Sequence, residues 1–242
     1  MAPRVEAQSI TRPAQRDQRL QLYGALGTVG APLIKYSTMT LTLPIDIDAV
    51  KGFLSPAEGE ALYDTVLRCK GHAPALEIGS YCGKSTVYLG LACQATERTL
   101  LALDHHRGSE EHQPGELFHD PELTDASGAV DTLTRFRRTM TDAGLDDTVI
   151  PVLATSGLFA ASWSGDLSLV FIDGGHSLDA ALADYRGWAG HIERGGFLAI
   201  HDVYPTPESG GQAPITVYRL ALASGLFRET LAVDSLRVLQ RS

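Results

Sequence analysis

From about residue 50 onward the chain alternates short apolar runs with helical patterns, and the connections between them are brief. This alternation constrains the fold more than any other feature. Apolar runs of four to eight residues that end in Gly or Asp read as buried parallel strands, and parallel strands need a crossover helix between them. The runs are ALEIGS, TLLALDH, TVIPVLA, LSLVFIDGG and GGFLAIHD. Between and around them lie SPAEGEALYDTVLRCK, GKSTVYLGLACQA, AVDTLTRFRRTMTDAGL, SLDAALADYRGWAGHIE and QAPITVYRLALASGLF, all with helical spacing. Ser55 and Pro56 suit the cap and first turn of the first helix, and Gly144 suits the stop of the third. The closing stretch RETLAVDSLRVLQR reads as two strands turned near Asp234–Ser235. The pattern predicts an α/β protein with a doubly wound, mostly parallel seven-stranded sheet and an antiparallel terminal strand.

Residues 1–50 do not join the alternation and are expected to form an N-terminal tail with a covering or dimerising segment, so the chain is expected to be a homo-oligomer. The domain proper spans 51–242. Arg4, Arg12, Arg16 and Arg19 precede no apolar core of a secretory signal, and no run approaches membrane-span length. Cys69, Cys82 and Cys93 have no CxxC pairing and read as reduced thiols, so a cytoplasmic protein without a membrane partner is expected. A formal net charge of -9 argues against a nucleic-acid partner, which would call for a basic face.

In doubly wound sheets ligands bind beyond the carboxyl ends of the strands. The first strand ends in EIGSYCGKS, where Gly79 and Gly83 allow close backbone approach and the next helix offers free N–H groups. Ser80, Tyr81 and Cys82 separate the glycines, so the stretch is neither GxGxxG nor a phosphate-binding GK[ST] loop. That counts against a nicotinamide-dependent oxidoreductase, the first rival reading. The second rival is a noncatalytic partner subunit that keeps the fold and binds the cofactor.

E-I-G-S-Y-C-G resembles the [DE]-x-G-x-x-x-G signature of the class I S-adenosylmethionine-dependent methyltransferases, and LLALDHH supplies the acid expected at the end of the next strand. FIDGGH followed by GGFLAIHD is similar to the branch that includes macrocin- and sugar-type O-methyltransferases. The resemblance implies a Rossmann-like fold and an S-adenosyl-L-methionine site formed by Glu77, Gly79, Ser80, Gly83, Ser85, Asp104, His105, Ser156 and Asp173. Asp104 would hold the ribose, and Thr155 and Ser156 would flank the adenine. The implied substrate is a small hydroxylated acceptor, a sugar or glycoside being favoured.

Asp173 and Asp202 should close neighbouring strands and point into one crevice. Two carboxylates there could hold a hard cation such as Mg2+, or could simply cap turns. The resemblance assigns Asp173, His201 and Asp202 as ligands of a divalent cation, with His201 standing where those relatives carry a carboxylate. Imidazole is a poor Mg2+ ligand, so either another metal binds or His201 has a different task. Hydroxyl methylation also needs a base, and the catalytic candidates are His176, His201 and Asp173. Gly175 stands where sugar-methylating relatives place their second acid. Tyr81, Trp163 and Tyr204 could line the crevice or pack in the core. The run LDHHRGSEEHQPGELFHD, rich in histidine and acid, reads as the cofactor-facing Asp104 followed by a polar lid or recognition loop.

Overall fold

The sheet has the order β3-β2-β1-β4-β5-β7-β6 in a computed structural model that describes residues 41–116, 118–175 and 177–242. Its strands are β1 (Ala75–Ile78), β2 (Leu100–Asp104), β3 (Val149–Leu153), β4 (Leu167–Ile172), β5 (Ile192–Ile200), β6 (Phe227–Val233) and β7 (Leu236–Arg241). β1 to β5 pair in parallel, and β7 lies antiparallel between β5 and β6. The expected seven-stranded, mostly parallel architecture is therefore present. The single antiparallel strand sits inside the sheet, with β6 at the edge.

The helices are α1 (Pro56–Leu67), α2 (Lys84–Ala95), α3 (Leu133–Asp142), α4 (Ser156–Ala160), α5 (Leu178–Trp188) and α6 (Ala213–Ala223). α1, α2 and α3 pack in sequence on one face, while α4, α5 and α6 pack in sequence on the other. On the second face Leu76, Ile78, Val170, Ile172, Leu198 and Ile200 meet Ala181 and Trp188 of α5 and Val217 and Ala221 of α6. β1 and β4, buried at every position, are covered on both sides, which is why they read as unbroken apolar runs. β3 has a neighbour on one side only, and Ile150 and Leu153 stay exposed.

Two details differ from the sequence reading. α4 forms in the stretch read as a loop after β3, because Thr155 takes extended backbone and starts a single short helix. β5 begins at Ile192 rather than near Gly195, pairing through a register shift in which Leu167 meets Ile192 and Leu169 meets Phe197. The expected tail and covering segment lies outside the described residues up to residue 40. Among residues 41–50 only a 3-10 turn, Ile47–Ala49, is regular.

Candidate active site

The carboxyl ends of β1 to β5 open into one cavity of about 1000 Å³. Its floor is Ile78–Tyr81, Leu103–His105, Ala154–Gly157, Asp173–Gly175 and His201–Tyr204, with Asp234, Ser235 and Arg237 from the β6–β7 hairpin at one side. β1 stands between β2 and β4 in the sheet, so the glycine turn lies where the strand order reverses, the place such folds bind ligands.

Gly79 has φ +87, and a Cβ there would lie 2.1 Å from the Asp173 carbonyl oxygen. Only glycine lets the end of β1 approach the end of β4 this closely. The Gly79 N–H donates to the Leu103 carbonyl at 2.9 Å, which ties the turn to β2 as well. Asp104 then accepts from the N–H of Tyr81 at 2.8 Å through one oxygen and from the N–H of His106 at 2.7 Å through the other. Each oxygen keeps a further lone pair, so the carboxylate is oriented and can still accept from a pair of hydroxyls. Ser80 is 1% exposed and lines the cavity, yet its hydroxyl has no partner among the described residues. A buried, unpaired hydroxyl beside a glycine turn suits a polar ligand group.

Glu77 was expected to touch the cofactor but does not line the cavity. It is wholly buried, and its two oxygens accept from Ser85 Oγ at 2.6 Å and Thr86 Oγ1 at 2.5 Å. Burial pushes its carboxyl up to about 8, against the pull of those two bonds. Glu77 therefore pins the first turn of α2 beneath the glycine loop. Gly83 likewise lies off the cavity, at φ +94 against Met140 and Thr139. Gly79, Ser80, Ser85, Asp104, His105, Ser156, Asp173, His201 and Asp202 all line it. Ser156 accepts from Trp188 Nε1 at 2.8 Å, which fixes the start of α4. Trp163 packs on Phe159 and Trp188 rather than in the cavity. His176 lies outside the described residues.

At the far side of the turn from Asp104, four titratable groups meet. His201 is 4% exposed; its Nδ1 lies 3.0 Å from Asp173 Oδ1 and 3.5 Å from Asp202 Oδ2, and its Nε2 lies 3.1 Å from Glu58 Oε2. Each ring nitrogen faces a carboxylate, so the ring carries either two protons or one proton and a cation. Without a cation, burial disfavours the charged ring, but the charge of Asp173 and the bonds to Asp173, Asp202 and Glu58 prevail and hold its pKa far above the usual histidine range. A base needs a free lone pair, and neither ring nitrogen offers one in that state. Burial likewise works against ionised Glu58, but His201 and the backbone of Ser55 bring its carboxyl down to about 2.

Asp173, His201 and Asp202 are the one group among the described residues whose donor atoms converge closely enough, within 4.8 Å, to hold a metal ion. The set suits a cation that accepts both nitrogen and oxygen. Glu58 was missed from sequence. Its trace there was the S-x-x-E spacing from Ser55, the signature of a capping box, which α1 does form.

The histidine-rich loop disperses its rings. His106 is buried against Phe136 with Nδ1 2.7 Å from Thr132 Oγ1. The His112 ring lies 5.0 Å from that of Tyr81 at the cavity rim, beside Phe53 and Phe118. Lys51 pairs with Asp120 and Glu122, and Arg107 with Asp125 at 2.9 Å, so the loop is tied at both ends. No helix among the described residues is long and apolar enough to cross a membrane.

Solved structures share this fold. The O-methyltransferase NovP is 15% identical, with a TM-score of 0.59 over 78% of this chain and 81% of that one. The methyltransferase PaMTH1 of Podospora anserina, solved with S-adenosylhomocysteine, is 14% identical with a TM-score of 0.55 over 78% and 80%. Cofactor-bound Rv0187 from MTB is 14% identical with a TM-score of 0.57 over 80% and 84%. At these identities the likeness is one of fold. The family described as "Methyltransferase domain" matches residues 76–203, over half the chain and including every strand end from Gly79 to Asp202, and the chain belongs to that family.

Proposed function

We propose that the protein is an S-adenosylmethionine-dependent O-methyltransferase acting on a small hydroxylated acceptor, a sugar or glycoside being favoured. The observation that carries this reading is the layout of the crevice: the oriented carboxylate of Asp104 on one side of the Gly79 turn, the Asp173–Asp202 pair on the other. The cofactor would supply an electrophilic methyl group, and its ribose hydroxyls and amino-acid end would fit Asp104 and the Ser80 pocket. The S-adenosylhomocysteine in PaMTH1 and the O-methyltransferase activity named for NovP lend support.

In this scheme the chain's own residues align and activate the acceptor. Asp173 and Asp202 face the acceptor oxygen, and His201 between them sets the charge of that wall. A divalent cation held by Asp173, His201 and Asp202 would bind acceptor hydroxyls and lower the pKa of the one methylated. Most of the rate enhancement would come from alignment for in-line displacement. The tied loop over residues 105–120, with His112 and Phe118 at the rim, would meet the rest of the acceptor.

Calorimetry tests the cofactor assignment. Titration with S-adenosylmethionine should release binding heat, and titration with NAD should not. Absence of heat with S-adenosylmethionine overturns the proposal.

A further inference from the structure

Glu58 comes from the first turn of α1, yet it reaches His201, 143 residues away. Its Oε1 accepts from the Ser235 N–H at 2.9 Å, the Ser235 hydroxyl at 2.8 Å and the Leu236 N–H at 3.2 Å. Its Oε2 accepts from the Ser55 N–H at 3.0 Å and faces His201 Nε2 at 3.1 Å. So many donors on two oxygens leave the carboxylate no freedom to turn. The edge of Phe171 packs against the imidazole at 6.3 Å between centroids, which fixes the ring plane from the side.

Beyond the ring, Asp202 sits at φ 56, and its Oδ1 accepts from the Tyr204 hydroxyl at 3.0 Å. Asp173 is anchored through its N–H to the Ile78 carbonyl at 2.9 Å. One nitrogen and two carboxylates thus converge from one direction, and a buried carboxylate receives the other ring nitrogen from behind. Metal-bound histidines are commonly oriented this way, by a carboxylate that accepts the second ring N–H.

We infer that Glu58 is a positioning residue that holds His201 with Nε2–H toward itself and Nδ1 toward Asp173 and Asp202, so that the site takes a borderline cation such as Mn2+ in preference to Mg2+. The inference rests on the proposed reading of Asp173, His201 and Asp202 as cation-holding residues. Mg2+ favours oxygen donors, whereas an imidazole in the set moves the preference toward transition metals. Glu58 acts through His201, since both of its oxygens are already engaged by Ser55, Ser235, Leu236 and His201 itself.

The test is calorimetric titration of the full chain, stripped with chelator, with MnCl2 and with MgCl2, without cofactor or acceptor. Mn2+ should bind more tightly than Mg2+, and His201→Glu should shrink that ratio on the order of tenfold. Glu58→Gln should weaken Mn2+ binding by about 10- to 100-fold. In the His201→Glu background the same change should have little effect, because the group it acts through is gone. No binding of Mn2+ to the unaltered chain overturns the inference, as does an unchanged Mn2+/Mg2+ ratio in His201→Glu. An equal effect of Glu58→Gln in both backgrounds also overturns it, leaving Glu58 a residue of the fold alone. Should Glu58→Gln not fold, Co2+ absorption decides: His201→Glu must shift the ligand-field bands, and identical spectra refute nitrogen ligation. Binding of S-adenosylmethionine is measured separately, so failure here and failure of the methyltransferase reading are distinct results.

Discussion

Gly79→Ala separates backbone strain from steric conflict at the point where the two halves of the site meet. The residue sits at φ +87, where an L side chain costs roughly 1–2 kcal/mol. The added Cβ would also lie 2.1 Å from the Asp173 carbonyl oxygen and 2.7 Å from its carbon. Those are backbone atoms, so the end of β4 must shift, and such overpacking costs roughly 1–3 kcal/mol. Together the loss is about 2–5 kcal/mol. For a domain of this size each kcal/mol lowers Tm by roughly 2–4 °C, which gives a drop of about 4–20 °C. Gly128→Ala is the matched control: φ is +83, but no heavy atom lies within 4 Å of the added Cβ. Its loss should be the backbone part alone, about 1–2 kcal/mol. Thermal unfolding followed by circular dichroism reads both, with urea midpoints as a second measure. If Gly79→Ala melts no lower than Gly128→Ala, the close packing of β1 on β4 is not what requires glycine there.

Three further outcomes follow from the same geometry. Glu77 has a folded pKa raised from 4.5 to about 8, so its contribution is fully present below 4.5 and is lost as pH rises through 8. Glu77→Gln keeps the shape: its oxygen still accepts from one hydroxyl, and its amide donates to the other, which reverses its bond, so urea midpoints should fall less between pH 5 and 8 than in the unaltered protein; parallel curves refute this. Asp104→Asn keeps only one acceptor oxygen for the Tyr81 and His106 amides, and should cost about 1.5–3 kcal/mol of cofactor affinity, read by calorimetry. Asp202→Ala should lower methyl-transfer turnover while leaving cofactor affinity nearly intact, and equal turnover of the unaltered protein in chelator and in added metal would remove the cation from the scheme.

Strands β1, β2 and β4 were legible because burial on both faces leaves an unbroken apolar run, and their Gly or Asp ends marked the crevice. Asp104, Asp173 and Asp202 could be placed in one cavity from strand ends alone, since the parallel order brings those ends to one side. The motif position of Glu77 says where the residue is in the chain, while its burial, with both oxygens on Ser85 and Thr86, decides what it touches. The histidine-rich run read as a polar lid or recognition loop rather than a metal cage, and its rings do disperse: His106 is buried against Phe136 while His112 stands at the cavity rim. Glu58 was hidden because its meaning comes from Ser235 and His201, and no local spacing carries a contact across so much chain. His201 looked like an available base, but three acids around it could be counted only after the fold placed them.

The placement of β7 between β5 and β6 has a consequence for how the protein is made. The hairpin at Asp234–Ser235 supplies the amides that hold Glu58, a contact that spans 177 residues. Contacts so distant in sequence form late and slow the approach to the native state. During synthesis α1 and β1 to β5 leave the ribosome well before residues 235–236, and until then the Glu58 carboxylate is without its amide clamp. The nascent chain thus carries nearly the whole sheet before the Glu58 carboxylate behind His201 has its three donors from the last hairpin.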